Sequence, residues 1–281
     1  MFDKIGACTW IFGQTPLAKV AEGLAQLGYN GVELLGDRER YPVKETRQIL
    51  EGEGLSVFSL TPPDIDLAHS SPGIRRQALD EYLRLLDYSK ELGAKIVSCH
   101  GKVGRVRSLT SQDEELKLFK ENLAVIAEKA TKLNLLVALE TLNRYESNLL
   151  NTADEAIKTI EELNFSCLGI LLDTYHMNIE EADFIAAIQK AGKYLFLFHL
   201  ADSNRRAIGR GHIPFSAIFS ALKEIAYQGP LIVECNAPGP DPFSPEKGPG
   251  WETLLWDEIK ETINWLRQKS LTRYPPDPLK S

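Results

Sequence analysis

The chain has 281 residues, of which 43% are hydrophobic and 25% charged, with a formal net charge of −7. That is ample apolar material for a large core and an ordinary charge density for a soluble protein. A pI near 5.4 without any run of basic residues argues against nucleic acid as the main partner, and no apolar run reaches the roughly 20 residues that span a bilayer. The N-terminal string MFDKIGACTW has no basic segment leading into an apolar one, so no secretion signal is read there. The four cysteines, Cys8, Cys99, Cys167 and Cys235, form no Cys-x-x-Cys pair and sit in or beside apolar runs. Buried, reduced thiols and a cytoplasmic location follow as expectations.

In chain order, short apolar and β-branched runs alternate with longer amphipathic ones. Strands are expected at Ile5–Cys8, Gly31–Leu35, Leu55–Leu60, Lys95–Cys99, Leu135–Leu139, Leu168–Leu172, Tyr194–Phe198 and Leu231–Val233. Most are continuously apolar, as in parallel strands covered on both faces. Helices are expected at Pro16–Leu27, Val43–Glu53, Pro72–Leu92, Ser111–Leu133, Thr152–Leu163, Glu181–Ala191, Phe215–Tyr227 and Trp251–Gln268. Thr15 precedes the first helix as a cap, and Ser111-Gln-Asp-Glu114 and Thr152-Ala-Asp-Glu155 read as capping boxes. Strict strand–helix alternation with right-handed crossovers gives a single (β/α)₈ TIM barrel over residues 1–270. An open doubly wound sheet would advertise a glycine-rich loop after its first strand, and Ala7–Phe12 is not one. Outside the repeat lie a Pro/Gly-rich loop, Asn236–Gly250, read as a lid or a subunit contact, and a Pro-rich C-terminal tail, 271–281.

In this architecture the C-terminal strand ends form the active face. Strands five to eight end at Glu140, Asp173, His199 and Glu234. A lone acid at a strand end is often a helix cap, and a lone histidine is more often hydrogen-bonded than metal-bound. Recurrence on four successive strands is what separates this set from such cases. Three carboxylates gathered at one point repel each other unless a cation is present. Oxygen donors with one imidazole suit Mn²⁺, Mg²⁺ or Co²⁺, with Zn²⁺ also compatible. Glu146, His176 and Arg205 follow on what read as loops above that point, where they suit contacts to sugar hydroxyls.

The strings LETLNRYESNLLNT (139–152), LLDTYHMNIEE (171–181), FHLADSNRRAIGRGHIPF (198–215) and IVEC (232–235) resemble the ketose 3-epimerases of the D-tagatose and D-psicose type, within the xylose-isomerase-like barrel superfamily. The resemblance is dense from about Leu135 to Cys235. It implies a divalent metal, Mn²⁺ foremost, on Glu140, Asp173, His199 and Glu234. Glu140 and Glu234 would also be the acid–base pair for C3 epimerisation through a metal-stabilised cis-enediolate. Substrate contacts would come from Glu146, His176 and Arg205, and dimers or tetramers are implied.

The first half of the chain resembles that family less closely. His100, in Cys99-His-Gly-Lys102, is expected at the substrate. Lys102, Arg105 and Arg107 read as solvated, with a phosphate or carboxylate contact as the alternative. Hydroxypyruvate isomerase and the inosose isomerases and dehydratases would use the same metal. An endonuclease IV-type site is disfavoured. It needs an Asp-x-His pair where Ser203 and Arg205 stand ahead of Gly209-Arg-Gly-His212.

Overall fold

All eight apolar runs form strands in the computed structural model, which describes residues 2–241 and 244–271. They are β1 (Ile5–Cys8), β2 (Gly31–Leu35), β3 (Ser56–Thr61), β4 (Ile96–Cys99), β5 (Leu136–Glu140), β6 (Leu168–Asp173), β7 (Leu195–Leu200) and β8 (Leu231–Val233). Each pairs in parallel with the next, and β8 returns to β1 through Ile5↔Leu231 and Ala7↔Val233. Closure leaves no sheet edge and buries the strands on both faces, which is why their sequences are apolar almost throughout.

The helices are α1 (Leu17–Leu27), α2 (Val43–Gly52), α3 (Pro72–Leu92), α4 (Gln112–Leu133), α5 (Ala153–Leu163), α6 (Thr174–Glu180), α7 (Phe184–Ala191), α8 (Phe215–Glu224) and α9 (Trp251–Leu271). Their apolar faces pack inward; in α4 these are Phe119, Leu123, Ile126 and Ala130. Thr152 and Glu155 form the full reciprocal capping box. Three local expectations need correction. Ser111 accepts the Glu114 N–H, but the return bond of a capping box is not made. Thr15 caps nothing: α1 starts one residue later behind Pro16, without a side-chain cap. The stretch read as loop after β6 is the short helix α6, and the next helix starts at Phe184 rather than Glu181, capped by Asp183. α9 runs to Leu271, and the rest of the tail, 272–281, lies outside the described residues.

Two one-residue bulges set the register of the rim. Between β2 and β3 the pairing shifts from Val32↔Val57 to Glu33↔Ser59, so Phe58 is the extra residue. Between β6 and β7 it shifts from Ile170↔Leu195 to Leu171↔Leu197, so Phe196 is extra. Each extra ring lies where a neighbouring glycine lacks a side chain. A Cβ on Gly31 would stand 2.3 Å from Phe58, and one on Gly169 would stand 2.2 Å from Phe196. The bulges thereby bring Glu33 opposite Ser59 and Asp173 opposite His199, which is how bulges beside active sites re-aim side chains.

Candidate active site

Glu140 ends β5, Asp173 ends β6, His199 is the penultimate residue of β7 and Glu234 follows β8. One donor atom from each lies within 4.8 Å of the others, and all four residues are buried. The strand-end reading therefore holds as geometry. Glu140 and Glu234 line a cavity of about 510 Å³ whose wall also includes Trp10, Asp64, His100, Glu146, His176 and Arg205. All the residues expected at the substrate thus converge on one space.

The electrostatics of the cluster are those of a cation site. Burial, with repulsion from Glu234, raises the Glu140 and Asp173 carboxyls well above the ordinary range. Burial also opposes charge on Glu234, but His199 and Arg205 beside it hold its carboxylate well below that range. His199 is buried too, and the carboxylates of Glu33 and Glu234 keep its imidazole protonated well above the usual value. Its Nδ1 faces the cluster, 3.3 Å from Glu234 Oε2 and 3.9 Å from Glu140 Oε1. Asp173 uses Oδ1 to cap α6 by accepting the Tyr175 N–H at 2.7 Å, while its Oδ2 is buried without a hydrogen-bond partner. A buried carboxylate oxygen left open among three other donors fits a divalent ion. Cys8, His199 and Glu234 make the other metal-compatible group among the described residues, sharing two members with the first.

Around the cluster the side chains are held by one another. His176 is neutral, because burial and the Arg205 charge push its pKa down to about 3. Its Nδ1 accepts the Asn143 backbone N–H and faces the Asn143 side-chain amide at 2.8 Å. Nε2 therefore carries the hydrogen, 3.9 Å from Asp173 Oδ2. Asn143 also donates to Glu146 Oε1 at 3.0 Å. Arg205 reaches Glu146 at 3.3 Å and Glu234 at 3.6 Å, with its guanidinium between the rings of Tyr175 and Trp10 at 4.8 and 5.5 Å. Its backbone adopts a left-handed φ of 58°, a cost of order 1–3 kcal/mol for a non-glycine residue that marks functional positions.

Sequence reasoning missed Trp10, Asn143, Tyr175 and Glu33. Trp10 donates its indole N–H to Glu234 Oε1 at 2.7 Å, a role that an aromatic residue just past a strand does not announce. Glu33 did leave a signal, as a lone acid inside the apolar run Gly31–Leu35. Of the basic residues after β4, Arg105 corrects the solvated reading, its side chain being only 11% exposed, and both Lys102 and Arg105 hold carboxylates of the chain rather than standing open to an anion. Lys102 pairs with Asp64, and Arg105 with Asp66 and Glu115. All four cysteines are free and buried, as expected, and no described helix is long and apolar enough to cross a membrane.

Known proteins resemble this chain in sequence and fold. A sequence profile described as "Xylose isomerase-like TIM barrel" matches residues 21–269. A ketose 3-epimerase of Arthrobacter globiformis is 34% identical over 214 residues, covering 74% of either chain. A 3-dehydro-D-guloside 4-epimerase of Escherichia coli is 28% identical over 261 residues, covering 90% of this chain and 98% of its own. Among solved structures, the D-psicose 3-epimerase of Clostridium cellulolyticum H10 has the same fold, with a TM-score of 0.85 at 24% identity, covering 94% of this chain and 98% of that one.

Proposed function

The chain belongs to the xylose isomerase-like TIM-barrel family, among its ketose 3-epimerases, and on that footing we propose that it is a divalent-metal-dependent epimerase that inverts C3 of a free ketose. The observation that carries the reading is the pair Glu140 and Glu234, which reach one point from β5 and from the end of β8, with Asp173 and His199 beside them. Inversion at carbon needs a proton taken from one face and returned on the other. Two carboxylates on different strands provide this, where binding alone would not call for both.

Glu140, Asp173, His199 and Glu234 would hold the ion, and when bound it supplies electrophilic stabilisation for charge developing on the substrate carbonyl. The remaining steps belong to the chain's own groups. One glutamate accepts the C3 proton and the other delivers a proton to the opposite face. Arg205 and the Nε2–H of His176 donate toward substrate oxygens, and Glu146, itself oriented by Asn143, accepts from a hydroxyl. His100 also lines the cavity, its Nδ1 2.8 Å from the Gly101 carbonyl, and would meet substrate hydroxyls. Trp10 and Tyr175 keep Arg205 in place and shield that end of the cavity from water.

The cavity suits a neutral sugar. Its wall carries Asp64, Glu140, Glu146 and Glu234, while Lys102 and Arg105 are committed to carboxylates and the charge of Arg205, though not all its N–H groups, is taken up by Glu146 and Glu234. A phosphate or a keto-acid carboxylate would find acids there and no uncommitted cation among these three. The oxygen-rich donor set with one imidazole favours Mn²⁺ as the resident ion. The acidic net charge fits a small-molecule substrate rather than nucleic acid. Four free, buried thiols agree with a reducing, cytoplasmic location. A dimer or tetramer follows from the resemblance alone.

The test is to load the protein with Mn²⁺ and offer free ketoses, the corresponding ketose phosphates and 3-keto-glycosides, resolving products by chromatography. A C3 epimer from a free ketose is the expected result. Turnover of phosphates alone, or C4 inversion of a keto-glycoside alone, would replace the reading.

A further inference from the structure

We infer that Glu33 is the positioning carboxylate of the metal histidine: it accepts the Nε2 hydrogen of His199 and so leaves Nδ1 to face the cation. The inference rests on the metal-site reading above and extends it to a residue outside the four proposed ligands.

Glu33 sits in mid-strand on β2 and is 1% exposed. Its Oε2 lies 3.2 Å from His199 Nε2 and accepts the Ser59 hydroxyl at 2.7 Å. Its Oε1 accepts the Thr61 hydroxyl and faces the Cys8 thiol at 3.5 Å. Every neighbour of this carboxylate is thus a donor. Ionised, it has no hydrogen of its own to give, so the hydrogen between it and His199 belongs to Nε2. With Nε2 occupied, the lone pair of the neutral imidazole is on Nδ1, the nitrogen that lies among Glu234 and Glu140.

The backbone is shaped for this contact. The bulge at Phe58 places Ser59 opposite Glu33, and the register then continues through Leu35↔Thr61. Both hydroxyls that bond Glu33 therefore come from β3, on the face it uses. A barrel interior is normally filled by branched apolar side chains. An acid with two hydroxyl partners in that layer costs desolvation that a leucine would not. Fixing the orientation and basicity of a ligand histidine is a recurrent reason for such an arrangement. The rival geometry has a cation held by Cys8, His199 and Glu234 through Nε2 of the histidine. It would require Glu33 to lose His199 as a donor.

Two measurements on the full-length protein decide the matter. The chain has five histidines, so long-range ¹H–¹⁵N spectra of ¹⁵N-histidine-labelled protein resolve His199 before and after Zn²⁺ addition. Protonated Nε2 with a metal-shifted Nδ1 is expected; a metal-shifted Nε2 overturns the proposal. Mn²⁺ affinity, read from the free-ion EPR signal, is expected to fall about 10- to 100-fold in Glu33→Gln, with the far-ultraviolet circular dichroism of the metal-free protein unchanged. Should that variant fail to fold, Ser59→Ala removes one hydrogen bond to the same carboxylate and is expected to weaken Mn²⁺ binding about two- to tenfold. Wild-type affinity in a folded Glu33→Gln, or in Ser59→Ala when it stands in, overturns the assignment while leaving the four-ligand site intact. A wild-type protein that takes up neither Zn²⁺ nor Mn²⁺ overturns that site and the assignment together.

Discussion

The rim of the barrel has two unlike halves. From β5 to β8, four successive strands deliver Glu140, Asp173, His199 and Glu234 to one point, with their charges concentrated and mutually strained. From β1 to β4, the rim supplies support and a wall. Glu33 on β2 reaches His199 on β7, and Trp10 bonds Glu234 at the end of the adjacent strand β8. The loops after β3 and β4 are stitched together by Lys102–Asp64 and Arg105–Asp66 pairs. One half holds acids that need a cation; in the other each of these acids already has a partner. Substitutions in the two halves should therefore fail differently, and five predictions sharpen the contrast.

The largest effect is expected at the acid–base pair. Glu140→Gln and Glu234→Gln should each lower kcat about 10²- to 10⁴-fold, the usual contribution of general acid–base catalysis. Steady-state kinetics at saturating Mn²⁺ separates this from metal loss. Next comes metal removal. A chelator should abolish turnover and lower thermal stability, by about 2.7 kcal/mol relative to protein held at 100 times the dissociation constant, as followed by calorimetry.

That loss should depend on pH. The Glu140, Asp173 and His199 pKa values are all raised in the folded protein, so the metal-free fold binds more protons than the unfolded chain above the ordinary carboxylate range. Its stability therefore falls as pH rises. Metal uptake must release these protons, so affinity increases with pH. Titration calorimetry in buffers of different ionisation heat reads the proton count; pH-independent affinity would contradict the cluster's charge assignment.

Smaller effects lie in the scaffold. Gly169→Ala would drive a methyl group into Phe196 at the bulge that aligns Asp173 with His199, costing about 1–3 kcal/mol and loosening metal binding. Gly52→Ala, where a new Cβ meets nothing within 4 Å, is the control and should be neutral or slightly stabilising in the same denaturant titration. The smallest effect belongs to the wall. Lys102→Ala breaks an exposed pair and should change stability by less than about 1 kcal/mol, leaving Mn²⁺ affinity unaltered.

The same division governs what the sequence discloses. Continuous apolar runs and capping residues are local signals, so all eight strands and the ends of α4 and α5 were legible. The clustering of Glu140, Asp173, His199 and Glu234 was legible because the fold gathers strand ends on one face. Glu33, by contrast, meets its hydroxyl partners only through a register shift against β3, and Trp10 meets Glu234 from 224 positions away. Neither relation leaves a periodic trace. α6 escaped notice because a helix of seven residues shows too little repetition to distinguish it from a polar loop. The charges of Lys102 and Arg105 were visible, but their partners Asp64 and Asp66 belong to another loop.

The most direct test of the central claim is to run the Mn²⁺-loaded protein on a free ketose in D₂O and locate deuterium by NMR. Deuterium at C3 of the newly formed C3 epimer, absent with Glu140→Gln and Glu234→Gln, is the predicted result. Deuterium at C1 or C2 with aldose formation would make the protein an aldose–ketose isomerase. No exchange into any ketose would contradict the ketose reading altogether.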